Sequence, residues 1–182
     1  PGFDSLSEAG KIFKFVEENA LTLKFILNTH GHPDHTCGNG IVKERFHAPI
    51  LIHENDAHML GKLGEKIAGF FGFMNSSPSA DILLRSEYLV NFGRVNLKVL
   101  HTPGHSRGCI SLLGDKEVFT GDTLFCGSIG RTDFPESSEE DMRFSLKKLA
   151  ILPEHFVVYP GHGPKTTISE EKHNNPFLQW LQ

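Results

Sequence analysis

Residues 29–35 read Thr29-His30-Gly31-His32-Pro33-Asp34-His35, so three imidazoles and a carboxylate fall within six positions, directly after the apolar run Leu23-Lys24-Phe25-Ile26-Leu27. No other stretch restricts the fold as much. Imidazole together with carboxylate suits zinc, iron or manganese. A helix would waste this spacing, because residues two apart do not share a helical face, and Pro33 argues for a loop. An extended turn lets His30 and His32 face one ion while Asp34 and His35 face a second. The expected fold therefore ends a buried strand over 23–28 at a metal-binding loop.

The same pattern recurs in His101-Thr102-Pro103-Gly104-His105-Ser106, in Thr120-Gly121-Asp122-Thr123 and in Tyr159-Pro160-Gly161-His162-Gly163. Each time an apolar run stops, glycine permits a tight turn, and one imidazole or carboxylate follows. Loops at one rim of a sheet are where ligands from distant positions can converge. Four loops thus offer His30, His32, Asp34, His35, His105, Asp122 and His162. The histidines at 47, 53, 58, 101, 155 and 173 read as ordinary surface or hydrogen-bonded imidazoles, with His101 the nearest to a ligand loop and a candidate to support one.

Hydrophobic periodicity fills in the rest. Leu6, Ala9, Ile12, Phe13, Val16 and Ala20 make one buried helical stripe over 5–20, with Ser7 or Asp4 as its cap. A short helix over 38–46, a strand at Pro49-Ile50-Leu51-Ile52 and a helix over 54–60 follow, the alternation of a layered α/β domain. Residues 63–79 carry Gly64, Gly69, Gly72 and a serine-rich end that should break any long element. Their apolar cluster of Phe70, Phe71, Phe73 and Met74 reads equally as a lid or as a segment folded on the core. Short strands at 88–90, 95–100, 109–113 and 118–120 predict a mainly antiparallel second sheet. A helix over 139–151 with Met142, Leu146, Leu149 and Ala150 inward, a strand over 156–159 and a terminal helix over 169–181 interrupted at Pro176 complete it.

A chain of 182 residues with 38% hydrophobic and 22% charged content is one globular domain, 1–182, large enough for a real core. No apolar run approaches the roughly 20 residues of a membrane span. Net charge of −4 without a dense Lys/Arg run gives no footprint for nucleic acid, leaving small-molecule chemistry. Cys37, Cys109 and Cys126 are scattered, which argues against a disulfide framework and fits a reducing, cytoplasmic setting. They read as packing residues before nucleophiles. The chain opens on Pro1-Gly2 without an initiator Met, which leaves room for an upstream segment.

The order of the seven ligand-type residues resembles the metallo-β-lactamase superfamily, whose H-x-H-x-D-H loop is followed by a His, an Asp and a His. Gly121-Asp122-Thr123-Leu124-Phe125, Gly130-Arg131-Thr132-Asp133-Phe134-Pro135, Pro160-Gly161-His162-Gly163 and Asn175-Pro176-Phe177 look like its short glyoxalase II-like (hydroxyacylglutathione hydrolase-like) members. The resemblance implies an α/β fold, the αββα sandwich, lacking here the opening strand or strands that precede the Pro-Gly pair. It implies that His30, His32 and His105 hold a first metal, that Asp34, His35 and His162 hold a second, and that Asp122 bridges them. It also implies that Arg131, where glyoxalase II has a lysine, meets a carboxylate of the glutathionyl group. Asp133 replaces the family's tyrosine and competes for that charge.

Two divalent ions sharing a water lower its pKa from 15.7 toward about 7 and polarise a carbonyl, so a bridging hydroxide can attack an acyl group. Zinc is the first choice of metal, with iron and manganese compatible. Asp34 orients the nucleophile and takes its proton. A thioester suits the site, since a thiolate with a pKa near 8.5 leaves with little help. The expected enzyme is thus a binuclear metallohydrolase of small-molecule thioesters such as S-2-hydroxyacylglutathione, with no nucleic-acid or membrane partner and no oligomeric state assigned. Alternatives are a mononuclear iron persulfide dioxygenase, a lactonase or β-lactamase, a nuclease, and a metal-binding module without turnover.

Overall fold

Ser5-Leu6-Ser7-Glu8 starts the first helix, α1, which spans Leu6–Glu18 in a computed structural model that describes residues 1–179. Ser5 Oγ accepts from the Glu8 amide at 3.3 Å, and Glu8 Oε2 in return takes the Ser5 hydroxyl and the Asp4 amide, both at 3.2 Å. This capping box places the cap on Ser5, not on Ser7 or Asp4. The Asp4 carboxylate instead accepts from the amides of Met74 and Asn75, at 2.6 and 2.7 Å. The buried stripe is also narrower than its periodicity predicts. Ala9 and Val16 are buried and Phe13 partly so, packed edge-on against Phe46 of the third helix at 5.3 Å, whereas Leu6, Ile12 and Ala20 are exposed.

The chain clusters into two compact units, Pro1–Leu84 and Arg85–Gln182. In the first, β1 (Ile26–Leu27), β2 (Ile50–His53) and β3 (Ile82–Leu84) form an all-parallel sheet in the order β1-β2-β3. The strand expected over 23–28 contracts to two residues, although its amides still run the ladder from Ile26 N to Pro49 O and from Asn28 N to Leu51 O, both 2.9 Å. Parallel neighbours need crossover connections, and helices supply them. α2 (Pro33–Thr36) and α3 (Asn39–Phe46) join β1 to β2; a 3₁₀ helix (Glu54–Met59) and α4 (Gly61–Phe70) join β2 to β3. Val42, Ala48, Ile50, Ile52 and Leu60 fill the core between them, with Phe3, Phe13 and Phe46 at its margin.

Three expectations change here. Pro33 does not keep its segment a loop: it sits at the first position of α2, where the missing amide would have had no partner. Gly64 and Gly69 lie inside α4 and do not break it; a Cβ at 64 would come within 2.5 Å of the Met59 carbonyl oxygen, so glycine is what lets that turn pack. Beyond α4 the apolar cluster is not folded on the core. Asp4 pins its backbone at residues 74 and 75, while Phe70, Phe71 and Met74 are 85%, 51% and 88% exposed. β3 has no counterpart among the expected elements.

The second unit holds a six-stranded sheet of β4 (Leu89–Phe92), β5 (Val95–His101), β6 (Ile110–Leu113), β7 (Glu117–Gly121), β10 (Val157–Pro160) and β11 (Thr166–Thr167). Its order is β11-β10-β7-β6-β5-β4. Because β6 is antiparallel to both β5 and β7, and β10 is parallel to β7, the strands β5, β7 and β10 all point the same way. A small hairpin, β8 (Leu124–Phe125) with β9 (Ser128–Ile129), leaves the end of β7; neither it nor β11 was expected.

α5 (Glu139–Ala150) is capped by Ser138 and buries Met142, Leu146 and Leu149 as its periodicity requires, with Ala150 at the margin. They meet Val118, Val158, Ile168 and Leu178 in one core. Truncating Leu149 to alanine there would cost about 2–5 kcal/mol. The expected terminal helix is two pieces, α6 (Ile168–Asn174) and α7 (Pro176–Gln179), divided at Asn175; positions 180 and 181 of that expectation lie outside the described residues.

Candidate metal centre

In the first unit the turn after β1 draws the four candidate ligands of residues 30–35 together. His30 is wholly buried, its ring centroid 4.9 Å from that of His32 and 4.2 Å from that of His35. His32 is the last residue before α2, so Asp34 and His35 ride on the first helical turn, with Asp34 Oδ2 3.4 Å from His35 Nε2. Thr29 Oγ1 meets His30 Nδ1 at 3.3 Å. The amide of Gly31, between the two histidines, donates to Oδ2 of the buried Asp56 at 2.9 Å. A methyl group on Gly31 would lie 2.7 Å from Met59 Cβ, so the 3₁₀ helix backs the whole turn.

In the second unit, the common direction of β5, β7 and β10 puts their carboxyl ends at one rim of the sheet, and His105, Asp122 and His162 follow those ends. The amide of Gly161 donates to the Gly121 carbonyl at 2.8 Å, locking two of the three turns together. Asp122 Oδ2 is 3.6 Å from His105 Nε2 and 3.5 Å from His162 Nε2. Two donors each about 2.1 Å from one tetrahedral ion stand roughly 3.4 Å apart, so these spacings fit donors that share cations through one carboxylate oxygen. The Asp34–His35 spacing fits in the same way.

His105 is oriented through its other nitrogen: Nδ1 donates to the Arg131 carbonyl at 2.9 Å, which leaves the lone pair on Nε2. The Ser137 hydroxyl holds the His105 carbonyl at 2.7 Å. The His105 ring lies 5.9 Å from that of Phe134, and the Arg131 guanidinium stacks on the same phenyl at 4.4 Å. The Arg131 fork is taken up by Asp133, with Nε to Oδ1 at 2.6 Å and Nη2 to Oδ2 at 2.7 Å. His101, the candidate support, turns its Nε2 to the Arg107 carbonyl at 2.9 Å.

Several residues that hold the turns were not singled out from sequence. A Cβ on Gly130 would sit 1.8 Å from the Asp122 carbonyl oxygen, and one on Gly2 would sit 1.8 Å from the Asp34 carbonyl oxygen. Each metal-type aspartate thus has a glycine pressed against its backbone. Asp56 lay within the helix expected over 54–60, with no role assigned to it. The thiols are dispersed: Cys37 and Cys109 are buried and Cys126 is exposed.

A short parallel sheet and a larger mixed sheet, each carrying histidine and aspartate turns at strand ends, define the class. The metallo-beta-lactamase superfamily profile matches residues 3–162, and the chain belongs to that superfamily of divalent-metal-binding hydrolase folds. It is 38% identical over 180 residues to a probable metallo-hydrolase, YqgX, of Bacillus subtilis, covering 97% of this chain and 85% of that one. It is 37% identical over 185 residues to the hydroxyacylglutathione hydrolase GloC of Haemophilus influenzae, covering 96% and 85%. Among solved structures it resembles BLEG-1 B3 metallo-beta-lactamase, with a TM-score of 0.88 at 35% identity over 98% of this chain and 86% of that one. It also resembles TTHA1623 in a di-iron-bound form, with a TM-score of 0.86 at 33% identity over 98% and 87%. Among the described residues no helix is long and apolar enough to cross a membrane.

Proposed function

We propose that this chain is a binuclear metal-dependent hydrolase of small-molecule thioesters of the S-2-hydroxyacylglutathione type, its two units acting as one catalytic domain. In this reading His30, His32 and His105 would hold one divalent ion, Asp34, His35 and His162 would hold the other, and Asp122 would serve both. The observation that carries it is the single carboxylate oxygen of Asp122 standing 3.6 and 3.5 Å from the imidazoles of His105 and His162. The likeness to GloC supports the thioester, and the likeness to a di-iron protein supports two ions. Zinc is the metal of choice, with iron and manganese compatible with the same donors. Scattered free thiols support a reducing, cytoplasmic setting.

Divalent ions at these donors supply a water acidic enough to lose its proton near neutral pH and an electrophile for the carbonyl oxygen. The rest is done by side chains. Asp34, partly exposed at the head of α2, takes up the proton of the attacking water. That oxygen bonds to the acyl carbon, the carbon–sulfur bond breaks, and the thiolate leaves with the electron pair, so an acid and a thiol result. His105, its Nδ1 proton given to the Arg131 carbonyl, keeps one ring orientation throughout. Arg131 releases Asp133 to meet a carboxylate of the thiol portion; the pair is 59% and 66% exposed, so the exchange is cheap.

A second reading, hydrolysis of a β-lactam, draws on the likeness to BLEG-1. Metal analysis of the purified protein, with turnover measured on an S-2-hydroxyacylglutathione, a neutral thioester, a lactone, a β-lactam and a phosphodiester, separates the readings. Two metals with thioester turnover is the expected result. Turnover of the β-lactam or lactone alone, or oxygen uptake with a glutathione persulfide, would overturn the proposal.

A further inference from the structure

Glu171 on α6 is 1% exposed, and its carboxylate accepts from three neutral donors. Oε1 takes the Thr166 hydroxyl at 2.7 Å; Oε2 takes the Gly127 amide at 2.9 Å and the Asn175 side-chain amide at 2.7 Å. A buried carboxylate is a poor stabilising device, since desolvation consumes most of what its hydrogen bonds return. What those bonds connect is more informative. Thr166 opens β11, the strand reached by the turn that carries His162. Gly127 is the tip of the β8–β9 hairpin that leaves Asp122. Asn175 extends the grip by donating to the Ser128 carbonyl at 3.0 Å. The hairpin in turn sets Phe125 edge-on to the His162 ring, centroids 6.0 Å apart.

One side chain therefore ties the segment after His162 to the segment after Asp122. We infer that Glu171 is a positioning residue that fixes the distance between His162 and Asp122, and so the affinity of the ion that His162 holds. The inference rests on the ligand assignment proposed above. Two substitutions isolate it. Glu171→Leu leaves the Gly127 amide and one of the two Asn175 amide hydrogens without the acceptor they now share. Glu171→Gln keeps an oxygen toward them, because its amide nitrogen can donate to the Thr166 hydroxyl, which accepts as well as donates.

The experiment titrates metal-free protein with Zn²⁺ by calorimetry, and with Co²⁺ by visible absorption, for wild type, both Glu171 variants and His162→Ala. Wild type should bind two equivalents, and His162→Ala should lose one. Glu171→Leu should bind one equivalent as tightly as wild type and the other about 10- to 100-fold more weakly, as is usual for groups supporting a ligand. Its Co²⁺ spectrum should change, and Glu171→Gln should restore both affinity and spectrum. Should Glu171→Leu fail to fold, Thr166→Val cuts only the tie toward His162 and should show the same selective weakening. Two unaltered equivalents in the folded variant, or equal weakening of both in step with Tm, would overturn the inference while sparing the ligand assignment. One equivalent in wild type, or two in His162→Ala, would overturn the assignment and the inference with it.

Discussion

The Nδ1 of His105 lies 2.9 Å from the backbone carbonyl oxygen of Arg131, so the arginine's main chain, not its side chain, orients the histidine. Arg131→Ala should therefore leave metal content unchanged. The guanidinium itself is shared with Asp133, and breaking so exposed and solvent-screened a pair changes binding by roughly 1.4- to 5-fold. We expect Arg131→Ala to raise KM for an anionic glutathione thioester within that range and Asp133→Asn to lower it. KM for a neutral thioester should hardly move. Steady-state kinetics on the two substrates decide it, and equal shifts on both would mean that the pair serves the loop alone.

Glycine at 130 leaves room for the Asp122 carbonyl, which a methyl group would approach to 1.8 Å. Gly130→Ala should sharply reduce bound metal in protein that still folds by circular dichroism. Gly10, exposed in α1 with nothing within 4 Å of a Cβ, is the contrast. Gly10→Ala should stabilise by about 0.5–1 kcal/mol through helix propensity, raising Tm by about 1–4 °C. Normal metal content in Gly130→Ala would show that the loop yields.

Asp81 ties the starts of β2 and β3: its Oδ2 accepts from the Ile50 amide and its carboxylate from Lys43, all at 2.7 Å. The Ile50 amide first, and then Lys43, hold its carboxyl below the usual aspartate range. A carboxyl depressed in the folded state adds stability above its unfolded pKa of about 3.9, and that stability is lost as pH falls through the lower folded value. Asp81→Asn should be less stable than wild type at pH 7, and the gap should close below about pH 4. Urea unfolding of metal-free protein at both pH values checks this. A gap that stays constant would assign the loss to geometry and not to charge.

Burial, and then the nearby Asp4 charge, push the Cys37 thiol up to about 11, while its Sγ donates to the Phe3 carbonyl at 3.3 Å. Cys109 is buried beside the Ser106 hydroxyl at 3.1 Å. With Cys126 exposed, native protein should give one fast-reacting thiol with an aromatic disulfide reagent and three in denaturant. Cys37→Ser and Cys109→Ser should keep substantial activity. Fast reaction of a second thiol in native protein would contradict the burial.

The turns that carry His105, Asp122 and His162 were legible as strand ends because glycine followed by one imidazole or carboxylate leaves a local mark at 101–106, 120–123 and 159–163. α5 was legible for a similar reason, since Met142, Leu146 and Leu149 repeat at helical spacing after a serine cap. β3 was not, because Ile82-Leu83-Leu84 is too short to show a period and follows a broken tract. α4 was misread because Gly64 was taken as a breaker, whereas its missing Cβ is what admits the Met59 carbonyl. Asp56 and Glu171 left no mark at all. Whether a carboxylate is solvated or enclosed depends on chain segments 25 and 44 residues away, and no local pattern encodes that.

The shared direction of β5, β7 and β10 divides the larger sheet into a rim followed by His105, Asp122 and His162 and an opposite rim entered by tight turns. The tight turns at 93–94 and 114–116 enter β5 and β7 from their amino ends, on the second rim, with Gly93, Arg94, Asp115 and Lys116 in solvent. Insertions are tolerated at exposed tips of this kind. A fluorophore, an affinity handle or a surface tether grafted at Asp115 would be separated from His105, Asp122 and His162 by the length of the strands, so the protein offers an attachment point that leaves its chemistry alone.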